Sequence, residues 1–216
     1  MKTLRSSLAL SALALASGAA LADGDNVFKV GVTRYDTHSR TSGISGIGVP
    51  AGADAEVGSA TTAIFVYERL LTPISPNLGI EFVLGIPPRL KAKATGSVAF
   101  LGDDVLSARN VAPTLLLNYH FFGPDAIFRP YIGAGVNYTR FTDIRSSLAP
   151  DVKMGSSTGL ALQAGVHYAI NKDVGLFASI AKVNVKSKVV ATGATVLTTT
   201  VDFRPIVYSA GISYQF

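Results

Sequence analysis

Three histidines, His38, His120 and His167, are the residues in this 216-residue chain best suited to metal binding or proton transfer. Their spacing matches neither HxxH nor HExxH, and no carboxylate stands at a ligand spacing from them. Because the chain has no cysteine, thiolate metal clusters, disulfides and a cysteine nucleophile are excluded. It also lacks a GxSxG motif, and helical patterns do not follow its glycine-rich stretches. The sequence therefore predicts no enzyme, no metal and no cofactor.

The composition is apolar for a chain of this length. Hydrophobic residues make up 48% and charged residues 15% of the sequence, against about 25% charged in soluble proteins. The mean hydropathy is +0.37. Intrinsic disorder is excluded by this apolar content. A helical membrane protein is excluded because no stretch after the apolar N-terminus approaches about 18 uninterrupted apolar residues.

The first 22 residues are expected to be a cleaved signal peptide. Lys2 and Arg5 form a positive start, residues 8–16 are apolar, and Ala20 and Ala22 provide the small-x-small cleavage signal. Without the two cations, 17 basic residues face 14 acidic ones in the mature chain 23–216. Such a small, scattered excess gives no reason to expect nucleic acid as a partner.

Alternation of apolar and polar residues with a period of two dominates the mature chain, which indicates β-strands. The clearest case is the C-terminus, where Tyr208, Ile212 and Tyr214 alternate with Ser209 and Ser213. Segments of about ten residues have the length of a tilted strand that crosses a bilayer. Eight strands are predicted, at 27–35, 61–71, 78–88, 114–122, 131–138, 159–170, 174–186 and 206–216.

The predicted connections alternate between short and long. Short links are expected at 72–77, 123–128 and 171–173, and long loops at about 36–60, 89–110, 142–156 and 187–200. This alternation is typical of outer-membrane barrels of Gram-negative bacteria, with periplasmic turns and extracellular loops. The sequence thus predicts an all-β fold, an eight-stranded antiparallel transmembrane β-barrel. A soluble exported β-domain is the alternative, but its outward apolar faces would be prone to aggregation.

In such a barrel the apolar faces contact outer-membrane lipids and the other faces line the lumen. The predicted inward faces are mainly Gly, Ala, Ser, Thr and Asn, which would leave space rather than a charged plug. Tyrosines near the strand ends, among them Tyr35, are expected to anchor the barrel at the membrane interfaces. The candidate lumen-lining residues are Glu81, Val83, Leu116, Asn118, His120, Asn137, Gln163 and His167.

The C-terminal Tyr214 and Phe216 form the alternating aromatic pattern that resembles the recognition signal of barrel assembly. The expected partners are therefore the barrel assembly machinery and periplasmic chaperones. A monomer is the default for a small closed barrel, and the expected location is the cell outer membrane.

Five stretches resemble the signatures of the OmpW family of outer-membrane proteins. The resemblance runs from the second strand to the C-terminus, and it implies a narrow apolar lumen that passes small hydrophobic molecules. The stretches are 77–81 (NLGIE), 112–121 (APTLLLNYHF), 129–141 (RPYIGAGVNYTRF), 159–168 (GLALQAGVHY) and 208–216 (YSAGISYQF).

Two functions remain open, and a surface lipid hydrolase that would use His167 is disfavoured because the strand of this histidine offers no acidic partner. One is passive passage of a small hydrophobic solute, and the other is a structural or adhesive barrel whose loops bind a host surface, phage or bacteriocin. An eight-stranded barrel is compatible with both, since its interior is either filled by side chains or holds one small ligand.

Two finer hypotheses concern the lumen and the wall. Glu81 and His120 are expected to pair near the periplasmic rim, as a stopper against ions or simply as a satisfied polar pair. Pro87, Pro88 and Pro113 lie at similar heights on neighbouring strands and donate no ladder hydrogen bonds. They are candidates for a lateral opening into the membrane, or they merely end the strands.

Overall fold

The computed structural model describes residues 24–193 and 196–216; the predicted signal peptide lies outside these ranges. No helix in the described part is long and apolar enough to cross a membrane. Its strands are β1 (Asn26–Asp36), β2 (Arg40–Thr41), β3 (Ala53–Val57), β4 (Ala60–Leu70), β5 (Leu78–Gly85), β6 (Arg89–Gly96), β7 (Leu106–Val111), β8 (Thr114–His120), β9 (Phe128–Ser146), β10 (Asp151–Met154), β11 (Ser157–Ala169), β12 (Val174–Val183), β13 (Lys186–Thr192), β14 (Val196–Asp202) and β15 (Ile206–Gln215).

Eight of these strands close into a barrel. Every neighbouring pair is antiparallel, in the order β1-β4-β5-β8-β9-β11-β12-β15, and β15 pairs back to β1. Closure matters because a sheet in lipid must satisfy every backbone donor and acceptor internally. All eight predicted strands overlap these eight, so the predicted fold class, the all-β eight-stranded antiparallel barrel, is confirmed.

The alternation of the sequence becomes the two faces of the wall. On β15, Tyr208, Ile212 and Tyr214 are exposed on the outer face, whereas Ser209 and Ser213 are buried inside. The other barrel strands repeat this pattern, so the outer surface is a continuous apolar band. Lipid is the solvent that makes such an exposed band favourable.

One end of the barrel, which we call the turn end, carries three short links. They connect β4 to β5, β8 to β9 and β11 to β12, close to the predicted positions. Exposed aromatic side chains ring this end, as in an interfacial belt. Tyr35 was expected among the interfacial tyrosines, but it is half-buried and lines the interior, because its position on β1 shares parity with Thr33. The belt consists of Phe28, Tyr67, Tyr119, Phe121, Phe128, Tyr168, Tyr214 and Phe216.

At the other end the wall continues as an extension made of two sheets. The segments predicted as long loops contain β2, β3, β6, β7, β10, β13 and β14, so their description as loops needs correction. One sheet has the order β3-β6-β7 and joins the upper part of β9; the other has the order β10-β13-β14-β2. Apolar residues of both sheets pack together inside the extension, which explains why these glycine-containing segments form strands.

Candidate functional site

A network of charged and amide side chains crosses the barrel interior near the turn end. Lys29 lies at its centre and bonds two carboxylates, with Nζ 2.7 Å from Glu68 Oε2 and 2.7 Å from Glu81 Oε2. Their side chains are only 2%, 1% and 4% exposed. The ammonium also lies over the Tyr131 ring, 5.1 Å from its centroid. An ion pair buried this deeply is tolerated only if its remaining bonds are satisfied.

The remaining carboxylate oxygens are satisfied by neighbouring strands. Asn118 Nδ2 donates to Glu68 Oε1 at 2.9 Å, and His120 Nε2 lies 2.7 Å from the same oxygen. Gln163 Nε2 donates to Glu81 Oε1 at 2.8 Å. Gln163 stands on β11, three strands around the wall from Glu81 on β5, so this bond spans the bore. The network therefore closes the lumen, and we call it the polar floor.

Two glycines provide the space that the polar floor occupies. A Cβ atom on Gly133 would lie 2.2 Å from Asn118 Oδ1, and one on Gly79 would lie 2.6 Å from Glu68 Oε1. Any larger residue there would displace the side chain that bonds the network.

The polar floor corrects two expectations. The interior does contain a charged network, although small residues were predicted there, because Lys29 and Glu68 lie on strands whose alternation is less clean. Glu81 and His120 do not form the expected pair; Glu81 bonds Lys29 and Gln163, and His120 bonds Glu68. The sequence did contain a signal for this network: Lys29 and Glu68 lie at inward parity on two consecutive predicted strands.

The structure places the eight lumen candidates on the inward face, at three levels. Glu81, Asn118, His120 and Gln163 belong to the polar floor. His167 lies beside a small cavity at the turn end and bonds Ser213 Oγ at 2.7 Å. The other three, Val83, Leu116 and Asn137, line a cavity on the opposite side of the floor. In the described residues, no cluster of three or more His, Asp or Glu side chains could hold a metal ion.

Two cavities lie on the side of the polar floor that faces the extension. The middle cavity, of about 70 Å³, has Lys29 and Glu81 at its base and apolar walls that include Ile64 and Phe177. The upper cavity, of about 120 Å³, lies between the two sheets of the extension. Its lining is almost wholly apolar and includes Leu90, Phe141, Met154, Val189 and Phe203.

The wall is interrupted next to the middle cavity. The ladder between β5 and β8 ends at the pair Val83 and Thr114. Pairing resumes between β6 and β7 at Arg89 and Arg109. Both edges stay attached to their outer neighbours, because Ile86 donates to Ala63 O and Tyr138 donates to Pro113 O. We call this interruption the wall break.

The three candidate prolines lie in the wall break. Pro87 and Pro88 separate β5 from β6, and Pro113 lies between β7 and β8. Among the described residues, one backbone hydrogen bond joins the two edges of the break: Asn110 N donates to Pro88 O at 3.0 Å. Val83, Asn110 and Ala112 line the middle cavity, so that cavity reaches the break from inside. Strands continue beyond the break as β6 and β7, so the prolines interrupt the wall rather than end it.

Comparisons with known proteins agree with this architecture. The chain is 30% identical over 148 residues to outer membrane protein W of Vibrio cholerae, covering 65% of this chain and 68% of the relative. It is 32% identical over 159 residues to the dibenzothiophene metabolism operon protein PahQ of Pseudomonas aeruginosa, covering 71% and 69%. The crystal structure of the outer membrane protein OprG from Pseudomonas aeruginosa superposes with a TM-score of 0.80 at 26% identity, covering 88% and 95%.

The closed barrel, its lipid-facing surface and these relatives define a β-barrel protein of the bacterial outer membrane. The OmpW family model matches residues 22–216, and the chain belongs to the OmpW family.

Proposed function

We propose that this barrel lets small hydrophobic molecules pass from the extension into the outer membrane through the wall break. The observation that carries the proposal is the middle cavity, which reaches the break at Ala112 while the polar floor closes it below. A solute would enter the upper cavity, pass into the middle cavity and leave sideways into lipid.

The chemistry of the two cavities favours an apolar solute. Side chains such as Leu90 and Phe203 offer dispersion contacts and almost no hydrogen-bond partner to a solute in the upper cavity. A polar solute would lose its hydration there without compensation. An apolar molecule instead leaves water on entry, which the hydrophobic effect favours.

The polar floor opposes a straight path through the barrel. An apolar solute that moved past it would have to separate Lys29 from Glu68 and Glu81, and buried charges without partners are costly. The wall break needs no such separation.

The orientation is part of the proposal. Short turns face the periplasm in outer-membrane barrels, so the three links lie there and the extension is extracellular. The signal peptide 1–22 and assembly by the barrel machinery through Tyr214 and Phe216 belong to the same proposal. Both side chains are exposed at the turn end, with their rings stacked 5.9 Å apart.

A structural or adhesive barrel is the second candidate function, and the polar floor itself favours it. A charged plug is what a barrel without a passage would be expected to contain. Uptake into proteoliposomes separates the candidates: a hydrophobic solute should enter faster than in protein-free vesicles, and a hydrophilic solute of similar size should not. Equal rates for the hydrophobic solute with and without protein would support the structural role.

The lateral route can be tested with a reversible cross-link, because the chain has no native cysteine. Continuing the β5–β8 register places Gly85 opposite Ala112, and a Cβ on Gly85 meets ordinary contacts. In the variant Gly85→Cys/Ala112→Cys, oxidation should reduce hydrophobic uptake and reduction should restore it. A matched control is Ala178→Cys/Ala210→Cys, at paired positions on β12 and β15.

A second variant set tests the prolines directly. Pro87→Val, Pro88→Val and Pro113→Val together should let the break pair and lower hydrophobic uptake, whereas Pro73→Val/Pro124→Val in the turns should not. Unchanged uptake by the folded triple variant would show that the lateral route is wrong.

A further inference from the structure

An arginine cluster lies on the outer face of the extension, next to the wall break. Arg89, Arg109 and Arg145 come from the three neighbouring strands β6, β7 and β9 and converge on the carboxylate of Asp143. Arg109 Nε lies 3.4 Å from Oδ2 and Arg145 Nε lies 3.1 Å from Oδ1, and Arg89 Nη2 bonds the same carboxylate. Three cations thus share one anion.

The rest of this sheet is balanced differently. Lys91 pairs with Asp104 at 2.6 Å and Lys93 pairs with Glu56 at 3.2 Å, one cation to one anion. In the cluster, Arg89 and Arg109 are direct partners in the β6–β7 register. Like charges directly opposite each other destabilise a sheet. The cluster therefore keeps an excess of two positive charges that nearby acids on this sheet do not neutralise.

A bulge in β9 builds the cluster. The register shifts between Ser107 and Arg109, and Asp143 has φ of 47°, in the left-handed region. Aspartate is among the residues that tolerate this conformation. The extra residue re-aims the carboxylate, as bulges commonly do. Although desolvation opposes the shift, hydrogen bonding and charge from Arg145 and then Arg89 hold the pKa of Asp143 below its usual value.

The position of the cluster points to an amphiphilic ligand. Towards the turn end from it the wall exposes Leu84 and Ile86 on one side and, beyond the exposed Arg140 and Tyr138 on β9, Val136. Cations above an apolar surface match a lipid whose head group carries phosphate and whose acyl chains run along the wall. Arginine suits this ligand, because its planar fork binds phosphate oxygens in pairs. A free phosphate would use the cations but not the apolar surface.

We propose that Arg89, Arg109 and Arg145 bind the phosphate groups of a phosphorylated glycolipid of the lipid A type in the surrounding leaflet. The carboxylate of Asp143 partly neutralises the three guanidinium groups and so limits their affinity for an anion. The bound lipid lies against the wall break, with its acyl chains beside Ile86. The proposal depends on the orientation given above but not on solute passage, because its test measures lipid binding rather than uptake.

The test measures binding of diphosphorylated lipid A to detergent-purified protein by native mass spectrometry and calorimetry. Arg89→Gln/Arg109→Gln/Arg145→Gln should lower the affinity at least tenfold. The corresponding triple lysine variant should retain part of it. The matched control is Lys153→Gln/Lys186→Gln/Lys188→Gln, three exposed cations on the other sheet, which should bind like the unaltered protein.

Asp143→Asn adds a test with the opposite sign. Removing the carboxylate while keeping a residue that tolerates positive φ should raise the affinity for lipid A, whereas a merely structural role would lower stability without this gain. Equal binding of dephosphorylated lipid A would overturn the proposal. An equal loss of affinity in the control Lys153→Gln/Lys186→Gln/Lys188→Gln would also overturn it. So would inorganic phosphate that binds as tightly as lipid A.

Discussion

Phe141 on β9 and Phe203, just after the end of β14, stack on one another inside the extension, with ring centroids 5.2 Å apart and an angle of 26° between the rings. Both rings line the upper cavity. Thr139, two residues before Phe141, and Pro205, two residues after Phe203, line the middle cavity. The stacked pair therefore lies on the side of the upper cavity that faces the middle cavity, and a solute on the proposed route would pass it.

Shortening this pair should widen the route. We expect Phe141→Leu or Phe203→Leu to raise the uptake of bulky apolar solutes several-fold, with a smaller change for small ones, because each removes part of one ring from the constriction. Uptake rates for a size series of hydrophobic solutes in proteoliposomes measure this effect. Phe121→Leu, on the lipid-facing surface, is the control. A uniform change across the size series would contradict a constriction at this pair.

Removing Lys29 should destabilise the barrel strongly. Lys29→Met leaves Glu68 and Glu81 facing each other without their shared cation, and breaking a buried pair typically costs about 3–5 kcal/mol. Urea unfolding in lipid vesicles measures the loss. Lys91→Met, at an exposed pair, should cost less than about 1 kcal/mol. Neutralising both acids in Lys29→Met/Glu68→Gln/Glu81→Gln should recover part of the loss, and no recovery would mean that the charges are not its cause.

The polar floor should also act as a stopper against ions. Glu81→Ala and His120→Ala each remove a side chain that helps to fill the bore, and the double variant should raise the ion conductance of single barrels in planar bilayers well above that of the unaltered protein. Asn137→Ala changes a residue above the floor and should leave the conductance unchanged. An unaltered leak in the double variant would refute the stopper.

The C-terminal aromatics should matter for assembly more than for the folded barrel. We expect Tyr214→Ser/Phe216→Ser to lower several-fold the amount of heat-modifiable barrel in the outer membrane, while refolding into detergent stays close to normal. Tyr168→Ser/Phe128→Ser removes two lipid-facing aromatics that are partners at the same end and serves as the control. An equal deficit in the control would assign the effect to lost lipid contacts.

The alternation of the sequence was sufficient to predict the eight strands and their lipid-facing sides. Tyr208, Ile212 and Tyr214 show why: in a strand, parity decides the face, and in a membrane the apolar face must point outward. Parity also placed Asn118, Gln163 and His167 inside. These conclusions need only local information, because each strand repeats the same pattern independently of its neighbours.

What the inward side chains contact was decided only by the closed barrel. Lys29 meets Glu81, 52 residues away, and Gln163 meets the same carboxylate from 82 residues away. These contacts depend on strand register and on which strands face each other across the bore, which no local pattern contains. The strands of the extension depend likewise on apolar burial between two sheets whose strands come from distant parts of the chain. The sequence alone therefore determined the faces of the wall, and the tertiary structure decided the polar floor, the cavities and the wall break, since each of these arises where distant strands come together.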